Sequence, residues 1–182
     1  MPRFSLSAFG ADRPGIVAGV SGALVDLGCN LEDSTMTFLQ GYFAILLVVS
    51  AGPEVRTADL EAALASVAGR FDLVVTVRQF DEAAAAAGLV SKGAVPWTIS
   101  VHGADHTGIV HGVTSALAAE GGNVVDLATH LVGDADSPVY VMTLRITLPA
   151  SPDPVAAAAR VRQAAEALGV HCSVHPDESD TL

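Results

Sequence analysis

Apolar residues recur along the chain with two different spacings, and the two spacings alternate. Phe4, Leu6 and Ala8 are every second residue, which predicts a strand with one buried face. From residue 16 to residue 27 the apolar positions fall on one face of a helix, and Gly28 is a typical helix terminator. The start of the chain is therefore predicted to run from a strand through a short turn into a helix.

Continued along the chain, the same pattern predicts the order β-α-β-β-α-β twice. In the first half it predicts strands near residues 4–9, 31–38, 42–49 and 71–80 and helices at 16–27 and 58–68. In the second half it predicts strands near 97–101, 124–132, 139–148 and 170–175 and helices at 109–119 and 154–168. This order is that of the ferredoxin-like unit, an antiparallel sheet with two helices on one face. The predicted fold class is α+β, with two ferredoxin-like βαββαβ domains in tandem and Met36 and Met142 in their cores.

An internal repeat supports the two-domain organisation. With an offset of 93 residues, segments 4–33 and 97–126 are identical at 14 of 30 positions, including the turn G-A-D-x-x-G-I-V. Such self-similarity indicates two copies of one structural unit. The expected organisation is a first domain at 1–82, a linker at 83–96, a second domain at 97–176 and an acidic tail at 177–182.

Composition excludes some classes of protein. The chain has 182 residues, 51% of them hydrophobic, which is too apolar for a disordered chain. Its net charge is -11 and it has no run of Lys or Arg, so we expect no direct nucleic-acid binding. Without a signal-like N-terminus or a stretch long enough to span a membrane, a cytoplasmic location is expected, with Cys29 and Cys172 as free thiols.

Each copy of the repeat places a glycine-rich turn before a helix and an asparagine after it. Free N–H groups at a helix N-terminus favour an anion, and Gly15 and Gly108 leave room for close approach. Asn30 and Asn123 add an acceptor and a donor, so the set suits a free amino acid. The same residues also serve as plain turn and cap residues, and from the residues alone both interpretations stay open.

The motif D-R-P-G-I-V-A, followed by a helix and G-C-N-L, resembles the ACT domain, and the resemblance covers nearly the whole chain in two copies. A tandem of such domains is similar to the glycine cleavage system transcriptional repressor family, which is regulatory. The resemblance implies that the domains pair side by side and bind an amino acid near the turn. The implied ligand-binding residues are Asp12, Arg13, Pro14, Gly15, Ile16, Asn30, Leu31, Asp105, His106, Thr107, Gly108, Ile109, Asn123 and Val124. In the second copy His106-Thr107 stands in place of Arg13-Pro14. A site that has lost ligand binding in one of the two copies therefore stays an alternative.

Other chemistry finds little support in the residues. The turns have the glycine spacing of a phosphate-binding loop but continue Ile-Val, without the lysine and hydroxyl that bind phosphate and magnesium. Asp12 and Asp105 are interpreted as helix caps rather than catalytic acids. His102 lies on a strand expected to pair with the strand of His171 and His175, yet the spacing matches no known metal-ligand pattern. No catalytic residue, metal site or cofactor is therefore expected.

The resulting expectation is a non-enzymatic regulatory protein that binds a small amino acid, glycine or serine, and modulates a protein partner. Because the acidic chain has no helix-turn-helix of its own, any effect on transcription is expected to run through this partner, and a transcription factor is one candidate for it. A homodimer is expected, since small cores benefit from extra burial, and no membrane is involved. The alternatives are an interaction and dimerisation module whose ligand site has decayed, and an unrecognised enzyme or metal protein.

Overall fold

Each copy of the repeat forms one four-stranded antiparallel sheet with two helices, as seen in a computed structural model of the chain. The structure describes residues 1–80, 94–134 and 138–177. They fall into two compact units, which we call domain 1 (residues 1–80) and domain 2 (residues 94–177). The predicted α+β class and the βαββαβ order are confirmed in both. Among the described residues, no helix is long and apolar enough to cross a membrane.

Domain 1 has the sheet order β2-β3-β1-β4, which makes β2 and β4 the edge strands. Its elements are β1 (Arg3–Ala11), α1 (Ile16–Asp26), β2 (Asn30–Leu39), β3 (Tyr42–Ser50), α2 (Thr57–Phe71) and β4 (Val74–Gln79). The alternation seen in the sequence fixes which face of β1 is buried, since Phe4, Leu6 and Ala8 are all at most 4% exposed. They pack with Leu24 of α1 and Leu60 of α2 in a single core.

Domain 2 repeats this arrangement with the sheet order β6-β7-β5-β8. Its elements are β5 (Val95–Ala104), α3 (Ile109–Ala119), β6 (Asn123–Val132), β7 (Val139–Leu148), α4 (Pro154–Glu166) and β8 (His171–Pro176). Met142 and Leu144 of β7 are fully buried in its core. Helix α4 is capped by Asp153, whose carboxylate accepts hydrogen bonds from the N–H groups of Val155 and Ala156, an arrangement that satisfies otherwise unpaired donors.

The prediction that Gly28 ends the first helix is confirmed by its hydrogen bonds. Gly28 has a φ of 66° and its N–H donates to Val25, while the N–H of Cys29 donates to Leu24. This is a Schellman motif, in which a left-handed residue lets the chain satisfy the last carbonyls of a helix. Gly121 ends α3 in the same way, with a φ of 71°.

Two predictions about individual elements are wrong. The last strand of domain 1 does not start at Phe71, because α2 continues through that residue and ends at Asp72, which takes a left-handed conformation with a φ of 56°. Met36 is not a core residue, because it lies on the edge strand β2 and is 57% exposed. Met142 is buried as predicted, at 0% exposure, because β7 is a central strand.

Part of the predicted organisation lies outside the described residues. This applies to residues 83–93 of the predicted linker and residues 178–182 of the predicted tail. At the end of the linker, Val95 and Pro96 already belong to β5. Next to them, the N–H of Asp177 donates to the carbonyl of Pro96. The exact domain bounds stay a prediction.

Candidate functional site

The turn between the first strand and the first helix has the same backbone in both domains. Gly15 has φ 97° and ψ -4°, and Gly108 has φ 97° and ψ -6°. Residues with a Cβ rarely adopt a positive φ of this size. A Cβ on Gly108 would meet no atom within 4 Å, and one on Gly15 would make only ordinary contact with the ring of Phe71 at 3.5 Å. The glycines are therefore required by backbone conformation and not by crowding.

The predicted caps at these turns are wrong. Helices α1 and α3 begin after Gly15 and Gly108, and neither has a side-chain cap or an acidic residue in its first turn. Asp12 lies three residues before the helix cap, and its own N–H donates to the carbonyl of Gly41 at 2.9 Å. Pro14 precedes the cap residue Gly15 and so lies outside the helix. Both helix N-termini are thus left without an acidic partner.

The predicted turn residues differ in whether a ligand can reach them. In the turn of domain 1, Asp12, Arg13, Pro14 and Gly15 are exposed. The equivalent residues of domain 2, Asp105, His106, Thr107 and Gly108, are exposed too. Ile16 and Ile109 are core residues at 2% exposure, so their side chains are not available to a ligand. His106 is held locally, because its Nδ1 lies 3.1 Å from the carbonyl oxygen of Thr107.

A groove in domain 1 separates α1 from the edge strand β2 and has a volume of about 270 Å³. Its lining residues are Val17, Val20, Ser21, Leu24, Val25, Cys29, Asn30, Leu31, Ser34, Ile45 and Leu47. The predicted residues Asn30 and Leu31 therefore share a cavity, whereas residues 12–15 of the turn do not line it. Burial raises the pKa of the Cys29 thiol, so this side chain contributes a neutral wall rather than a thiolate.

Sequence reasoning missed the α1 side of this groove. Val17, Ser21 and Val25 are spaced by four residues, which places them on one face of the helix. Val17 and Val25 remain 47% and 70% exposed, so the core does not use them. The sequence did contain a signal for this side of the groove, because the apolar stripe on α1 is wider than packing against the core requires.

The same positions in domain 2 carry groups of different size or packing. Leu127 stands where domain 1 has Ser34, and Gly122 where domain 1 has Cys29. Val110 and Val124, the equivalents of Val17 and Leu31, pack against the core of domain 2. The predicted residue Val124 is therefore partly buried, while Asn123 beside it is exposed. The two predicted sites thus differ most along β2 and β6 and least in the turn itself.

Tyr140 is a polar residue at the domain 2 turn that sequence reasoning missed. It pairs with Gly103 in the sheet, as Phe43 pairs with Gly10 in domain 1. Its hydroxyl is buried and has no hydrogen-bond partner among the residues that the structure describes. Burial and the nearby carboxylate of Asp105 raise the pKa of this phenol. The internal repeat did not reveal that Tyr140 corresponds to Phe43, because the loop before β7 is longer in domain 2 and the offset between equivalent residues changes there from 93 to 97.

The predicted proximity of the histidines is confirmed in one case. His102 of β5 pairs directly with His171 of β8, and their ring centroids are 5.1 Å apart. Within the described ranges, no group of three or more His, Cys, Asp or Glu side chains is arranged to hold a metal ion.

The repeated fold and the glycine turns define a tandem of two small α+β domains. The model of the ACT domain family matches residues 3–78. Domain 1 is therefore an ACT domain, and domain 2 repeats its fold.

Similar proteins include some that match one domain and some that match the whole chain. A UPF0237 protein of Methanopyrus kandleri is 45% identical over 49 residues, which are 27% of this chain and 54% of that protein. The chain spans about half the length of several such curated relatives that it matches. The glycine cleavage system transcriptional repressor of Escherichia coli is 27% identical over 165 residues, 90% of this chain and 82% of that protein. An unknown protein from Galdieria sulphuraria has a TM-score of 0.80 at 28% identity, covering 97% of this chain and 98% of that one.

Proposed function

We propose that this chain is a non-enzymatic regulatory protein that binds a small amino acid, glycine or serine, at an ACT-domain interface. Binding modulates a protein partner, a transcription factor for amino-acid metabolism. Similarity to the Escherichia coli glycine cleavage system repressor along 90% of the chain supports the regulatory class. The net charge of -11 argues that nucleic acid is not contacted directly.

The groove of domain 1 is the observation that carries the proposal. Three polar residues, Asn30, Ser21 and Ser34, are among the lining of an otherwise largely apolar cavity of about 270 Å³. A few polar groups in an apolar cleft are typical of small-molecule sites, because the polar groups orient a ligand that the apolar walls desolvate. Asn30 offers an acceptor for an ammonium and a donor for a carboxylate.

Domain 1 is the better candidate for the primary site. Its groove is lined by Val17 in the first turn of α1, so the positive end of that helix dipole lies near it and favours a carboxylate. In domain 2 the position of Ser34 is taken by Leu127. Regulation then requires that the ligand bind one arrangement of the protein more tightly than another.

A thermal-shift screen against the standard amino acids tests the proposal, with calorimetry on each hit. A ligand at about a hundred times its dissociation constant adds about 2.7 kcal/mol, which raises Tm by roughly 5–10 °C for this length of chain. We expect glycine or serine to give this shift. A flat screen on folded protein contradicts amino-acid binding.

A matched pair of variants locates the site. Ser34→Leu gives the groove the side chain that domain 2 has, so we expect it to abolish the shift. Thr35→Leu is the control, because Thr35 pairs with Leu46 on the opposite face of the sheet. If both variants respond like the parent chain, the ligand does not occupy the groove.

The interaction module is a second candidate, and strand β2 favours it. All ten of its residues are exposed, and it lies at the edge of its sheet. Met36, Phe38 and Leu39 are each 57–62% exposed along it. Long apolar edge strands are sites of pairing with another chain. Sedimentation of Phe38→Lys distinguishes this role, because a lysine on the edge is expected to convert a dimer to monomers; unchanged sedimentation would count against pairing through β2.

A further inference from the structure

We propose that His102 and His171 form a binding site for one divalent transition-metal ion, such as Zn²⁺, on the open face of the domain 2 sheet. The two residues are direct partners across β5 and β8. Both are exposed. Val101, which precedes His102 on β5, is buried in the core on the helix side of the sheet. Their imidazoles therefore stand side by side on the face without helices.

The distance between the rings fits joint coordination. With Zn–N bonds of about 2.1 Å and tetrahedral angles, two imidazoles bound to one ion have ring centroids about 5 Å apart. The centroids of His102 and His171 are 5.1 Å apart, with ring planes inclined by 22°. The nitrogen lone pairs lie in the ring planes, so the two facing rings must turn to share an ion. The torsion that turns a histidine ring is broad, and both side chains are exposed, so each ring can rotate to direct one nitrogen toward a shared ion.

Nothing in the fold demands histidine at these two positions. Domain 1 has Phe9 and Val74 there, and they are direct partners in the same register. Neutral imidazole is the commonest metal-binding side chain and suits zinc, copper and nickel. Two protein ligands leave the remaining positions of the ion to water. Cys172 does not contribute, because it packs on the core side of the sheet.

His130 offers a competing arrangement that the experiment must separate. It pairs with Val141 of β7, which in turn pairs with His102. An ion placed over Val141 would use His130 and His102 instead. The shorter separation favours His171, because it is the direct strand partner of His102 and their ring centroids are 5.1 Å apart, whereas a whole strand lies between His130 and His102.

Calorimetric titration of the full, untagged chain with Zn²⁺ tests the site. We expect one ion per chain, and we expect His171→Ala to weaken binding about a hundredfold, because the second imidazole binds at high effective concentration. His175→Ala is the matched control, since His175 lies on the same strand and pairs with Thr98. Equal loss in both variants, loss in His130→Ala but not in His171→Ala, or no binding by the parent chain overturns the proposal.

A gain-of-site variant adds a second, independent measurement. Phe9→His combined with Val74→His places the same pair on domain 1, and we expect two ions per chain in place of one. Circular dichroism confirms that each variant is folded, which the exposure of these residues favours. A stoichiometry that stays at one in the folded double variant shows that a paired register does not suffice, and it overturns the geometric argument.

Discussion

Domain 1 and domain 2 have the same backbone fold but differ in the side chains on both faces of the sheet. Beside the first helix, domain 1 has an open groove lined by Ser34, and domain 2 has Leu127 at that position. On the open face of the sheet, domain 1 stacks Phe9 on Tyr42, whereas domain 2 stacks His102 on His171. The two copies share the residues that the fold requires and differ at exposed positions, so each surface is expected to have its own role.

The largest expected effect compares the same core position in the two domains. Leu47 of β3 lines the groove and Leu144 of β7 is fully enclosed. Replacing a buried leucine by alanine lowers the free energy of unfolding by about 2–5 kcal/mol. The loss is larger where the neighbouring side chains cannot move in to fill the cavity. We expect Leu144→Ala to lower the free energy of unfolding near the top of this range and Leu47→Ala near the bottom. Urea unfolding of the two variants measures the difference, and equal costs would show that the groove does not loosen the domain 1 core.

The next effect tests the shared turn. Gly15→Ala and Gly108→Ala each force a Cβ onto a φ of 97°, which costs about 1–2 kcal/mol. Because neither Cβ would clash, we expect similar losses of stability in thermal unfolding. A loss at only one turn would mean that the two turns are not equivalent in solution.

A smaller effect concerns the buried hydroxyl of domain 2. Tyr140→Phe removes a buried group that has no partner among the described residues and gives domain 2 the residue that domain 1 has, Phe43. Removing an unsatisfied buried polar group recovers about 1 kcal/mol. We therefore expect a higher midpoint of urea unfolding. A lower midpoint would indicate that the hydroxyl finds a partner in solution.

The smallest effect is a pH dependence that comes from one ion pair of domain 2. Arg160 donates two hydrogen bonds to Glu120, at 2.7 and 2.6 Å, and this lowers the pKa of the Glu120 carboxyl from its ordinary 4.5. A carboxyl whose pKa is lower in the folded state contributes stability above its unfolded pKa and loses it as pH falls through the folded pKa. Domain 1 has Leu27 at this position.

We expect Glu120→Gln to flatten the fall in Tm between about pH 5 and pH 3. The variant Glu61→Gln is the control, since Glu61 is an exposed carboxylate on α2 of the other domain. An unchanged acid slope in Glu120→Gln would show that the ion pair with Arg160 does not form in solution.

Local sequence signals were sufficient for most of the fold. Alternating and helical spacing predicted every strand and helix described in the two domains, usually within one or two residues. The error at Phe71 arose because an apolar residue at the end of an amphipathic helix looks the same as one at the start of a strand. Met36 was misplaced because alternation predicts which face a side chain points to, but not whether the strand lies at an edge.

The candidate site was less accessible to sequence reasoning. Asn30 and Leu31 were found because they follow a repeated glycine motif, and the structure brings both into the groove. The contribution of Val17 and Ser34 depends on the spacing between α1 and β2, which no local pattern encodes. The caps assigned to Asp12 and Asp105 failed because the chain turns at the glycine three residues later.

The sequence by itself determined the repeat, the order of elements and the positions that need a left-handed backbone. These properties are local, because the periodicity of apolar residues and the steric freedom of glycine act within one or two turns of the chain. Only the tertiary structure decided which apolar residues remain exposed, that Asp105 lies close to Tyr140, and that His102 and His171 share a register. Those relations join residues far apart in sequence, and they follow from strand order and register, which the packing of the whole domain fixes.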